Sequence, residues 1–217
     1  VNGRLALKNA SLYFGDLPNG IDNANGTILF DRNRATVEKL TAESGGGTLS
    51  FGGVVEFAAP LQYRLQATAQ RVRIRWPEDL STTFDARLAL SGTQEASSVT
   101  GTVTLIRSAF NPRTDLGQLL AQASKPTPVP SAPNEYLQGM QFEVRVESAS
   151  NFSFETSLTR DVEAEVDLNL HGTPLRPVLL GTVSVNQGEV QVFGNRYTID
   201  RGEVRFLNPV KMEPILD

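Results

Sequence analysis

Cysteine is absent from the 217 residues, and histidine occurs once, at His171. Without cysteine there is no disulfide framework, no thiolate metal site and no thiol nucleophile. His171 sits between two strand-like runs with no second histidine to join it, so neither a zinc site nor a catalytic triad assembles around it. A surplus of positive charge is missing as well: the net charge is -4 and the pI about 5.2, which leaves no basic footprint for nucleic acid. No apolar run reaches the roughly 18 residues that a spanning helix needs, and Val1 begins mid-pattern without a signal peptide. The expectation is one β-rich fragment, 1–217, excised from a larger chain, with any membrane contact made through parts of the chain outside it. Gly45-Gly46-Gly47 lacks the Gly-Lys-Ser/Thr of a phosphate loop. No enzyme activity, metal or cofactor is expected.

What the chain does have is hydrophobic residues, 40% of the total, spread in short alternating runs. In Val162-Glu163-Ala164-Glu165-Val166-Asp167-Leu168-Asn169-Leu170 every even position is apolar and every odd one polar, the signature of a half-buried strand. His171-Gly172-Thr173-Pro174 breaks it, and Gly181 to Val190 resumes the alternation. Two short strands then flank Asp200-Arg201-Gly202. Upstream, Gly3 to Leu12 reads as a strand bending near Asn9-Ala10, and Phe14 to Asn25 as a loop. Thr27 to Phe30, Arg34 to Leu40 and Thr48 to Phe57 read as strands, the last with a bulge or close backbone approach at Gly52-Gly53. Leu61, Tyr63, Leu65 and Ala67 form one apolar row, Val72, Ile74 and Trp76 another, and Phe84 to Leu90 and Val99 to Arg107 supply two more.

The chain repeats itself. A gapless shift of about 80 positions lays Leu88-Ala89-Leu90-Ser91-Gly92-Thr93 on Leu168-Asn169-Leu170-His171-Gly172-Thr173, and Gly101-Thr102-Val103 on Gly181-Thr182-Val183. Gly3-Arg4-Leu5-Ala6-Leu7 is a fainter third copy. Between the copies, residues 111–137 form an insertion: a short helix over Asp115 to Ala123, with Leu116, Leu119, Leu120 and Ala123 on one face, then a Pro-rich connector from Lys125 to Asn134.

Two charged rows have plain readings. Glu163, Glu165 and Asp167 lie ~7 Å apart along a strand, which suits its wet face better than a metal site. Arg71, Arg73 and Arg75 read likewise as a solvated face that meets lipid headgroups or a partner only secondarily. Alternation by itself fits a closed sandwich, a membrane barrel or a curled open groove.

The run LNLHGTPLRPVLLGTVSVNQGEVQVF (168–193), followed by GNRYTIDRGEVRFLNP (194–209) and EPILD (213–217), closely resembles the carboxy-terminal region of the TamB family of diderm bacteria. The resemblance is densest over Leu168 to Asp217, and the motif region is taken as 138–217. It implies an elongated, curled, mostly antiparallel all-β sheet with an open apolar groove. It also implies an inner-membrane-anchored protein reaching across the periplasm to TamA, an outer-membrane barrel. The implied function is transfer of phospholipid between the two membranes; the alternative is assembly of outer-membrane proteins with TamA through exposed strand edges.

On this reading the groove is lined by Leu5 and Leu7, by Leu88 and Leu90, by Val103 and Leu105, and by Phe142, Val144 and Val146. Phe152, Phe154 and Leu158 continue it, followed by Val162, Val166, Leu168 and Leu170, then Val183 and Val185. Tyr197, Ile199, Val204 and Phe206 form the partner-docking edge. The expected occupants are phospholipid or another acyl lipid, and a TamA-type barrel.

Overall fold

The computed structural model describes residues 2–13, 19–75, 79–110, 135–156, 159–192, 195–209 and 214–216. They form one sheet in which every chain neighbour but the last few lies beside its predecessor. The strands are β1 (Gly3–Leu12), β2 (Ile21–Asp31), β3 (Arg34–Ser44), β4 (Gly47–Glu56), β5 (Gln62–Arg75), β6 (Leu80–Thr93) and β7 (Ser97–Phe110). After a four-residue helix α1 (Glu135–Gln138) come β8 (Met140–Thr156), β9 (Thr159–Thr173), β10 (Arg176–Val192), β11 (Asn195–Ile199), β12 (Gly202–Phe206) and β13 (Pro214–Leu216). The sheet is open and curled, running from β1 to β13 with β11 attached to β10. Sizeable contacts join only hydrogen-bonded neighbours, so among the described residues no second layer packs over either face.

The sequence repeat is a structural one. Leu88 pairs with Gly101 across β6 and β7, and Leu168 with Gly181 across β9 and β10. In both hairpins a threonine hydroxyl closes the turn: Ala96 N–H donates to Thr93 Oγ1 and Arg176 N–H to Thr173 Oγ1, each at 3.2 Å. Each copy also gains a first strand, because Tyr63 faces Gly92 in one and Phe142 faces Gly172 in the other. The unit is therefore a three-strand meander, β5-β6-β7 repeated as β8-β9-β10. The fainter third copy does not share this geometry: Leu7 does face Gly26, but Gly26 crowds the Lys39 carbonyl of β3 instead of β1.

Three strands per unit fix the junction. The first and last strands of a meander point the same way, so β7 meets β8 in parallel, the one parallel pairing in the described sheet. A parallel join needs a crossover of a dozen residues or more. Here Phe110 and Met140 lie at opposite ends of the 14-residue β7, about 46 Å apart at ~3.3 Å per residue. The expected helix at Asp115–Ala123 and the Pro-rich connector lie outside the described residues.

Bulges recur with the unit. Ile106 is the extra residue between the pairs Phe84–Leu105 and Thr83–Arg107, and Asn186 holds the same place between Ala164–Val185 and Glu163–Gln187. Gln70-Arg71 bulge out of β5, where Arg71 N–H donates to Asp85 Oδ1 at 2.7 Å. The wider bulge of β8 spans Ser148 to Phe152, where Val166 N–H donates to Ser148 Oγ at 3.0 Å. Each bulge bends its strand and adds twist, so their alignment from β5 to β10 creases the sheet.

Several expectations are corrected. Ile21 to Asn25 is strand, not loop, because β2 pairs with β3 from Asp22 onward. The bulge assigned to Gly52-Gly53 lies across the ladder, at Glu38-Lys39 of β3, whereas Gly53 provides the close approach, to the Arg64 carbonyl. The Tyr63 and Val72 rows belong to one strand whose parity flips at the bulge. β9 runs through His171 to Thr173, and only Pro174-Leu175 turn. β11 and β12 do not pair with each other; they lie in line along β10.

Candidate functional site

Pairing register places side chains on faces, since directly opposed residues project to the same side. One unbroken row crosses ten strands: Leu7, Gly26, Leu40, Phe51, Ala67, Leu88, Gly101, Val144, Leu170 and Leu179. The row beside it starts at Leu5 and passes Ile28, Val37, Gly53, Leu65, Leu90, Val99 and Phe142. A third links Ala42, Leu49, Ala69, Ala86, Val103, Val146, Leu168, Gly181 and Phe206. At ~4.8 Å per strand, ten strands make an apolar surface about 45 Å wide.

All the proposed lining residues within the described chain fall on this face; Leu105, Phe154, Val162, Val166, Val183 and Val185 reach it through their own pairings. Leu158 lies outside the described residues. The buried apolar residues, from Ala24 and Ala35 to Val166 and Leu168, are on it too, yet no described side chain is less than 2% exposed. Two clusters anchor it. Val72 and Ala86 pack with Ile74, Phe84, Leu88 and Val103, and their repeat equivalents Phe152 and Val166 pack with Phe154, Ala164, Leu168 and Val183. The second cluster takes the larger residue at Phe152, Val166 and Phe154 and the smaller at Ala164. Hydroxyls that do intrude are paired: Thr82 and Ser108, opposite each other, share a hydrogen bond of 3.1 Å.

The opposite face is polar, with rows such as Ser50, Thr68, Arg87, Thr102, Arg145 and Asn169. Its ion pairs are solvent-exposed, Arg107 with Glu155 at 2.6 Å and Arg145 with Asp167 at 3.2 Å among them. Exposed pairs of this kind contribute little to stability. His171 faces Glu143 and is exposed. Among the described residues no group of acids and histidine is placed to hold a metal. At the β1–β2 end, the Tyr13 hydroxyl donates to Asp22 Oδ1 at 2.5 Å. That bond and the carboxylate charge raise the phenol pKa, and the same bond, with a second from Ser11, lowers that of Asp22.

The docking-edge assignment needs revision. Val204 and Phe206 point to the apolar face, and β12 is covered on its far side by β13 through Val204–Leu216 and Phe206–Pro214. Tyr197 and Ile199 lie on β11, which among the described residues pairs only with β10 and so keeps one edge open; Tyr197 is 56% exposed. The sequence reading places Leu65, Ile74 and Phe84 in apolar rows without counting them in the lining, and passes over Phe51 and Leu179. Their signal was the same alternation, broken in phase by the bulges.

The family model of the TamB C-terminal domain covers residues 38–217. The chain belongs to the TamB family. No curated protein and no solved structure matches it. The TamB match takes in both meander units and all of the apolar rows from Leu40 onward, so the repeated face lies inside the family's domain. No helix of the described residues is long and apolar enough to cross a membrane.

Proposed function

We propose that this TamB-family chain is a non-enzymatic segment of a periplasmic lipid conduit, part of an inner-membrane-anchored protein, carrying phospholipid between inner and outer membranes. The observation that carries the reading is the apolar face crossing ten strands with no layer of the described residues over it. Soluble proteins seldom leave more than a few hundred Å² of contiguous apolar surface in water, so such a face calls for an apolar occupant. With no second layer, curvature is what shields one face more than the other. The more shielded one here is apolar, which supports reading it as the wall of a groove. A sixteen-carbon acyl chain laid in that groove gains on the order of 10 kcal/mol before entropy losses, at ~0.8 kcal/mol per methylene. Aliphatic walls hold a chain without fixing its position, which suits sliding.

A photo-crosslinking residue at Phe154 is expected to capture lipid at least about tenfold better than one at Glu165 or Asp167, on the polar face. Equal capture from both faces removes the groove from the proposal.

The open edge of β11 favours a second reading, in which an incoming strand from an outer-membrane protein or a TamA-type barrel pairs with it. Deleting Gly194 to Asp217 is then expected to abolish binding to such a barrel, measured by co-purification. Full retention of binding refutes it.

A further inference from the structure

The seam between the two units fixes the face on which the chain returns from β7 to β8. Ser97, the first residue of β7, donates its N–H to the Gly139 carbonyl at the foot of β8, at 3.0 Å. Its side chain lies on the side of Val99, two residues on, and therefore on the apolar face. Stereochemistry supplies the rest: an L residue whose side chain faces the viewer, on a strand running upward, turns its N–H to the right. Seen onto the apolar face with β7 upward, β8 thus lies on the right. A chain that leaves the top of β7 toward the viewer and descends to the foot of β8 then makes a right-handed crossover, the hand of about 98% of such connections. The same return behind the sheet, over the polar face, would be left-handed.

We infer that the apolar face over the β7–β8 seam is the docking site of the chain's own residues 111–134. Their number suits it: the return of about 46 Å takes about 14 extended residues, and 111–134 is longer than that. Their sequence suits it as well, since Leu116, Leu119, Leu120 and Ala123 recur at the spacing of one helical face and have apolar area to bury. The seam offers matching surface in Val99, Val103, Leu105 and Val146, all half-buried on that face. Across the polar face the same leucines would meet Thr102, Thr104, Arg145 and Glu147. The inference rests on the seam and its hand, not on the lipid reading of the groove, so each can fail without the other.

The cysteine-free background allows the test, run on the delipidated 217-residue chain at low concentration. Leu119→Cys and Val103→Cys in one chain are expected to be joined by a short bismaleimide. Leu119→Cys and Thr104→Cys, the latter on the polar face, are not. A second measurement follows the rate at which a bulky maleimide modifies Val103→Cys alone. Adding Leu116→Ser, Leu119→Ser and Leu120→Ser is expected to speed that reaction at least about tenfold, and to leave unchanged the rate at Leu5→Cys, on the same face but at the far edge of the sheet. A crosslink to Thr104→Cys instead, a crosslink to neither position, or a rate at Val103→Cys that ignores the three leucines overturns the inference. Protection of Val103→Cys that vanishes on dilution reports a second copy on this face and overturns it too.

Discussion

Gly101→Val and Gly181→Val are each expected to lower the unfolding free energy by about 3 kcal/mol or more, read from urea midpoints. Both glycines sit mid-strand at φ of +135° and +128°, a region that L side chains rarely adopt. A Cβ on Gly101 would enter the Arg87 carbonyl, and one on Gly181 the Asp167 carbonyl, its repeat equivalent. Relief would require parting β6 from β7 or β9 from β10, with loss of ladder hydrogen bonds. Gly46 separates the two causes: its φ is +81° but open space surrounds it, so Gly46→Ala carries only backbone strain, about 1 kcal/mol. Midpoints for Gly101→Val no lower than for Gly46→Ala would show that close strand approach does not shape these units.

Val183→Arg is expected to reduce lipid capture at Phe154 by about tenfold to hundredfold while the thermal midpoint holds. Val183 is half-buried on the apolar face, between Val166 and Val204. A guanidinium against hydrocarbon costs roughly 3 kcal/mol, which is about two orders of magnitude in occupancy. The half-buried position lets the charge reach water. Val166 is a poorer choice: it is 7% exposed inside the Phe152–Leu168 cluster, so Val166→Arg would cost about 2 kcal/mol of stability as well. Unchanged capture with Val183→Arg would mean that acyl chains do not pass this part of the sheet.

Strand identity was legible wherever alternation ran unbroken. Val162 to Leu170 spells out β9 and its apolar side residue by residue, and the copy of Leu88–Thr93 at Leu168–Thr173 marks two equivalent hairpins before any coordinates. Bulges hide the rest, because an extra residue moves the apolar set from odd to even positions and makes one strand look like two, as at Gln70-Arg71. Pairing partners were less legible still. Nothing local says that Asn195–Ile199 and Gly202–Phe206 both lie along β10; the turn residues between them serve a hairpin equally well. The apolar face was recoverable because facing a groove and facing a core leave the same mark on sequence. The open edge was not, since it depends on where Pro214–Leu216 docks.

The like-directed seam between β7 and β8 carries a consequence for how such walls grow. Modules whose entry and exit strands agree in sense couple nose to tail, so length becomes a matter of copy number and the oily stripe continues from one car to the next. Each coupling demands its own long return of chain, and those returns are where successive modules are free to differ.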